Sequence, residues 1–136
     1  MQTPWRTERG QSTVELALFL PVLVVILYVV VAFGRIYLQY QEVSSATSEG
    51  ARRASTMSGI AEPGRTSTIV STVRAGTSLG TTAAFDSTQL AVTVDSTWAP
   101  GSAVSVTSTY PASVTILGIT LYSGNLTTKR TVRVLS

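Results

Sequence analysis

The residues that could do chemistry are few and dispersed. Among 136 residues there are ten Lys or Arg and seven Asp or Glu, with neither histidine nor cysteine. Without cysteine there is no disulfide, no thiolate metal site and no thiol nucleophile. Without histidine, a metal site or a general acid–base pair would have to be assembled from carboxylates alone. Those carboxylates do not cluster: Asp86 and Asp95 stand nine residues apart across a turn into a strand and read as solvated groups. Ser and Thr are abundant, yet no base is placed to activate one, and no Gly-rich phosphate loop is present. The residues therefore point to no enzyme, no cofactor, no metal and no small-molecule substrate. A net charge of +3 without a Lys/Arg run or basic stripe gives no support for a nucleic-acid partner. Arg52-Arg53 reads as a pair on a solvated helix face.

One carboxylate stands apart by its neighbours. Glu15 precedes Leu16–Gly34, LALFLPVLVVILYVVVAFG, which contains no ionisable group stronger than Tyr28. A carboxylate at the edge of such a run costs a few kcal/mol if buried unpaired, so it must face water, a headgroup or a partner cation. A local reading is available as well. Ser12-Thr13-Val14-Glu15 fits the S/T-x-x-E capping box, which satisfies two orphan amides at a helix start.

The element that positions Glu15 is the apolar run itself. Its 19 residues, at about 1.5 Å each, make a helix of roughly 28 Å, close to the hydrocarbon thickness of a bilayer. A core helix of a water-soluble domain is seldom apolar on every face for that length. The run also exceeds the core of an ordinary secretory signal, and Ala32-Phe33-Gly34 is a poor cleavage site. The positive-inside comparison of Arg6, Arg9 and the initial amine with Arg35, Arg52 and Arg53 slightly favours a cytoplasmic N-terminus.

The order of short motifs around this helix resembles a known family. Arg9-Gly10-Gln11-Ser12-Thr13-Val14-Glu15 is similar to a type IV prepilin signal, with Gly before the scissile bond and Glu fifth after it. Leu20-Pro21 within the apolar run, Phe33-Gly34-Arg35 at its end and Glu49-Gly50-Ala51-Arg52 further on resemble the TadE-like pseudopilins of Tad (Flp) pilus systems. The resemblance spans residues 9 to about 54. It implies cleavage at Gly10–Gln11 by a prepilin peptidase on the cytoplasmic side, where glycine leaves the backbone accessible and extended. It also implies that Glu15 pairs with the amine of Gln11 on a neighbouring subunit and so steers assembly. The partners implied are membrane lipid, other pilin-like subunits, pilus assembly proteins and the peptidase.

Beyond Arg35 a helical stripe continues through Ile36, Tyr40, Val43, Thr47, Gly50, Ala54 and Met57, in steps of three and four. Gln39, Gln41, Glu42, Ser45, Glu49, Arg52 and Arg53 are expected to stay hydrated. A single helix from about Ser12 to Met57 would be on the order of 70 Å long, with Pro21 removing one backbone hydrogen bond. Gly34, Ile36, Tyr40, Val43, Gly50 and Ala54 are the candidate packing positions, toward other pilin-like helices and toward the outer domain. Gly59, Pro63 and Gly64 form a loop, and Thr66–Thr77 a short helix with Ile69, Val70 and Val73 on one face, closed by Gly76 and Gly80. From Leu90 the period changes to two. Leu90, Val92 and Val94, then Val104 and Val106, then the apolar run Val114–Leu121, then Val132 and Val134 predict three or four antiparallel strands. Turns are expected at Ala99-Pro100-Gly101, Tyr110-Pro111 and Ser123-Gly124-Asn125. Trp98 is expected to anchor its loop on the sheet, and Asn125-Leu126-Thr127 matches a glycosylation sequon of the kind that arises by chance in a Thr-rich loop.

The organisation expected is a leader over 1–10, a transmembrane helix over 11–34, its extracytoplasmic continuation over 35–58 and a small α+β domain over 59–136. The fold class is α+β, with the long N-terminal transmembrane helix packed on a small C-terminal antiparallel sheet in a pilin-like manner. The function that fits is a minor pilin or pseudopilin acting in pilus assembly by contacts, in the cell membrane with its N-terminus cytoplasmic and its domain extracytoplasmic. The alternatives are a single-span membrane-anchored binding or adhesion module unrelated to pili, and a secreted domain cut near Arg35.

Overall fold

The computed structural model describes residues 8–57, 63–78, 86–96, 98–99, 101–116 and 118–135. Helix α1 runs over Glu8–Ser55 and α2 over Gly64–Ser78; a single 3-10 turn, Ser87–Gln89, leads into strands β1 (Ala91–Ser96), β2 (Ala103–Ile116) and β3 (Ile119–Arg133). The α+β class expected from the sequence is what the chain adopts. Two compact units divide it, one up to Arg35 and the other from Ile36 onward.

In the first unit α1 continues through Pro21 without a break. Most of its side chains lie bare: Leu18 and Phe19 are each 71% exposed, Leu23, Leu27 and Val31 are more than half exposed, and only Val29 and Ala32 of residues 11–35 are half-buried. The helix is long and apolar enough to cross a membrane, and none of its most apolar window is buried. Side chains this apolar and this exposed are stable only in a solvent that is itself apolar.

The second unit holds the core. Val43, Ala46, Ala51 and Ala54 of α1, with Met57 just past its end, meet Ile69 and Val73 of α2, and Leu90, Val104, Val106, Tyr110 and Val134 of the sheet side. Thr47 and Gly50 are buried on the same helix face, and Thr47 satisfies its hydroxyl by donating to the Val43 carbonyl at 2.6 Å. The stripe expected along α1 is therefore present from Val43 onward, widened by Ala46 and Ala51. Ile36 is only half-buried and Tyr40 is 43% exposed. Of the positions expected to be hydrated, Gln41, Ser45, Glu49, Arg52 and Arg53 are exposed, while Gln39 and Glu42 are half-buried. The small residues let the two helices touch. A Cβ placed on Gly50 would overlap Cγ2 of Val73, and one on Gly76 would lie 3.1 Å from the Ala46 Cβ. Gly76 thus serves inside α2 as a contact and does not end it; Gly64 likewise opens α2 where a loop was expected, and Gly59 and Gly80 lie outside the described residues.

The sheet is an antiparallel meander in the order β1-β2-β3. Its inward positions, Val104, Val106, Ser108, Tyr110, Ala112, Val114 and Ile116, are all buried, and they alternate with Ser105, Thr107, Thr109, Pro111, Ser113 and Thr115. Three strands are correct, but two of the three expected turns are misplaced. Tyr110-Pro111 lies inside β2, paired with Leu126 and Asn125 of β3. Proline is tolerated there because β1 stops at the pair Ala91↔Thr109, so beyond Thr109 one side of β2 has no ladder among the described residues to break. Ser123-Gly124-Asn125 lies inside β3, with the Tyr122 ring over Gly124. The sequon is accordingly in a strand rather than a loop. The real turn falls within the dense apolar run, where Ile116 pairs with Ile119 and Gly118 takes φ 81°. That sign of φ is open to glycine at no steric cost.

Candidate functional site

The site proposed by the sequence is the start of α1. Gly10 and Gln11 lie in its first turn, since the helix begins at Glu8. The backbone at Gly10 is helical, where the cleavage reading expects an extended chain, so a peptidase cutting there would have to draw out that turn. The cost is small, because a helix's first four amides lack intrahelical partners and glycine is about 1 kcal/mol less favourable than alanine in a helix. The helix start also corrects the capping-box reading. Ser12 follows four helical residues, so Ser12-Thr13-Val14-Glu15 does not cap α1 in the full-length chain.

Glu15 is exposed, and Gln11 donates from its side-chain amide, Nε2, to the carboxylate Oε1 at 3.4 Å, four residues apart on one helix face. This long, exposed contact is weak. It shows which groups share a face. Cleavage after Gly10 would turn the Gln11 nitrogen into a cationic amine beside the positive end of the helix dipole, where a carboxylate is stabilising. The chemistry available is charge pairing and nothing more reactive.

The candidate packing residues fall into two sets. Val43, Gly50 and Ala54 are buried inside their own domain, against α2 and the sheet, so no second subunit can reach them in this fold. Gly34 has no side-chain or other heavy atom within 4 Å of where a Cβ would stand. With Ile36 and Tyr40 it remains accessible to a partner.

Three features of the domain were not singled out as polar sites by the sequence. Asp86 accepts from the Thr88 amide at 2.9 Å and hydroxyl at 2.6 Å, and from Gln89 at 3.3 Å, which closes the turn before β1. These hydrogen bonds from Thr88 hold its carboxyl below the usual range. Trp98 takes φ 52°, uncommon for a bulky residue; it packs on the core as expected of a loop anchor, with the Arg65 guanidinium 5.0 Å from its ring centroid. On β3, Arg130 donates to Ser44 of α1 at 3.2 Å, and the Leu135 amide donates to the Ser55 carbonyl at 3.0 Å. Among the described residues no group of three or more His, Cys, Asp or Glu is gathered as a metal site.

A family model described as TadE-like protein matches residues 10–52. The resemblance read from the motifs is thus found over the same segment, from the Gly10–Gln11 bond through the apolar run to Arg52. No curated protein and no solved structure gives a match.

Proposed function

We propose that this chain is a minor pilin or pseudopilin that acts in assembly of a Tad (Flp) type IV-like pilus through helix and domain contacts, without catalysis. The observation that carries the reading is a coincidence of extent. The TadE-like match over residues 10–52 begins at the proposed cleavage bond, covers the largely exposed apolar helix and ends within the stretch of α1 that carries the buried stripe. In this reading α1 holds the protein in the cell membrane with its N-terminus in the cytoplasm, and a prepilin peptidase removes residues 1–10. Glu15 pairs with the freed Gln11 amine of a neighbouring pilin-like subunit. Gly34, Ile36 and Tyr40 are the surfaces left for packing between anchors.

The test is N-terminal sequencing of the mature protein together with the variant Glu15→Ala. A mature chain beginning at Gln11, with Glu15→Ala cleaved and inserted but absent from the purified pilus apparatus, is the expected result. A chain that starts at Met1 or Gln2 sinks the prepilin reading and leaves a membrane-anchored binding module. A start near Arg35 leaves a secreted domain. Normal incorporation of Glu15→Ala removes the pairing role.

A further inference from the structure

Removal of the leader changes what Gln11 is. In the uncut chain its nitrogen belongs to a peptide bond. Cutting after Gly10 makes it an α-amine, on the same residue as a carboxamide whose Cδ is placed for closure of a five-membered ring. While the amine keeps its proton it offers charge pairing alone; without the proton it is a nucleophile. An α-amine with no partner has a pKa of about 7.7–8.0, so about a tenth of it is neutral at pH 7.

The charges around this residue are few. With residues 1–10 gone, Glu15 is the only Asp, Glu, Lys or Arg between Gln11 and Gly34. Gln11 and Glu15 are both exposed, and Gln11 Nε2 donates to Glu15 Oε1 at 3.4 Å, one turn along the helix. That contact draws the carboxamide toward Glu15, and the same carboxylate favours the charged form of an amine beside it. Both effects oppose ring closure. Within one chain the guard is weak, because the contact is long and open to water. A neighbouring chain's Glu15 set directly against the amine guards it more fully.

Resting on cleavage after Gly10 as read above, we propose that Gln11 is a self-modification site with Glu15 as its guard: a mature chain whose amine no Glu15 holds closes Gln11 to a pyrrolidone ring. The amine nitrogen bonds to Cδ, the Cδ–Nε2 bond breaks, one proton of the amine passes to Nε2, and ammonia leaves. The step is neither oxidation nor reduction and takes no co-reactant. Its product carries a neutral lactam N–H where the amine stood, so it has no charge to pair with a neighbour's Glu15. Cleavage therefore starts a clock. Chains taken into an assembly keep the amine, and chains left alone in the membrane lose the group by which they would be recruited.

The readout is the mass of the tryptic peptide 11–35, in which Gln11 is the only Gln or Asn, so a loss of one ammonia has a single source. The ring also blocks stepwise sequencing from the N-terminus, which makes mass the measurement of choice. The full-length protein is expressed with its peptidase and pilus apparatus, new synthesis is stopped, and the membrane pool and the purified apparatus are sampled over time. The expected result is progressive ammonia loss in the membrane pool and an intact amine in the apparatus. Glu15→Ala should lose ammonia from the membrane pool roughly two- to fivefold faster than the parent, the hold of one exposed ion pair, and Glu15→Asp, which keeps the charge, should fall back toward the parent. An amine that persists in the parent's membrane pool overturns the proposal, as does a ring equally abundant in both pools, or a Glu15→Ala chain that closes no faster than the parent. Each of those outcomes leaves cleavage intact, since the peptide still begins at residue 11. A protein with no chain beginning there overturns the cleavage reading and this inference with it.

Discussion

The close contact of the two helices gives a quantitative test of the domain's core. Gly50 of α1 faces Val73 of α2, and a Cβ at Gly50 would overlap Val73 Cγ2 while lying 3.7 Å from Ile69 Cγ2. Gly50→Ala has two opposed effects. Alanine gains up to about 1 kcal/mol of helix propensity over glycine, and overpacking a filled core costs about 1–3 kcal/mol. The cost should lie toward the upper end because Val73 cannot turn away: it is fully buried, and valine in a helix holds essentially one χ1 rotamer. The net expectation is a loss of roughly 1–2 kcal/mol, which for a domain of this size lowers Tm by about 5–15 °C. Val73→Ala alone removes two methyl groups and should cost roughly 2 kcal/mol. In the double variant the overlap vanishes and the propensity gain remains, so the cost should be about 1 kcal/mol, well below the sum of the two single changes. The assay is near-UV circular dichroism of the full-length protein in detergent, followed through heating. Gly34→Ala, with open space around it, meets no such overlap and should not lower that transition. Additive single effects, or a Tm that rises in Gly50→Ala, would refute the account of Gly50 as a forced close approach.

Two further outcomes follow from the geometry. Asp86 is held ionised by Thr88, with its carboxyl in the folded chain below the ordinary 3.8, so its contribution is present above that value and is lost as pH falls through the folded pKa. Thermal scans between pH 2 and pH 6 should show Asp86→Asn less stable than the parent at the upper end and level with it at the lower end; a gap that persists undiminished at pH 2 would remove the carboxylate from the explanation. Gly118→Ala places a Cβ on a residue at φ 81° and should cost about 1 kcal/mol, read as a lower Tm, and an unchanged Tm would show that the turn relaxes to another type.

How far the fold was legible depends on whether a position's surroundings are local. The apolar run Leu16–Gly34 and the stripe from Val43 are written in residue type and period, and both are found. The two misplaced turns were not legible, because Pro111 and Gly124 break strands only when neighbours demand their N–H or their side-chain bulk. At Pro111 no β1 residue is paired, since the β1–β2 ladder ends at Ala91↔Thr109, and at Gly124 the Tyr122 ring fills the space. Those are facts of pairing, which a one-dimensional pattern does not carry. The true turn hid for the complementary reason: in the run Val114–Leu121 only Gly118 marks it, and apolar residues on both sides read as one strand. Glu15 was visible as the one carboxylate beside the anchor, but the capping box near it was a local coincidence, since α1 starts at Glu8 and gives Ser12 no cap to form.

Helix α1 changes its physics partway along, and this restricts how the protein can assemble. From Leu16 to Gly34 it is apolar all round and largely exposed; from Val43 it is apolar on one side only, and that side is filled by α2 and the sheet. Gly50 and Ala54 look like small-residue positions for packing between subunits, yet any partner helix approaching them would first have to displace Ile69 and Val73, two fully buried side chains. Exposing both would cost roughly 3–6 kcal/mol, a large part of the stability of a small domain. A second subunit would therefore have to make its contacts elsewhere, as around Gly34, where van der Waals packing of small residues is what associates helices in lipid. The outer face of the sheet is held by cross-strand hydroxyl pairs such as Ser105 with Thr131 at 2.9 Å. The same face also carries exposed Asp95, Lys129 and Arg133, in register with Ser105, Thr107 and Ala103, so any partner meeting it would have to pair or desolvate those charges.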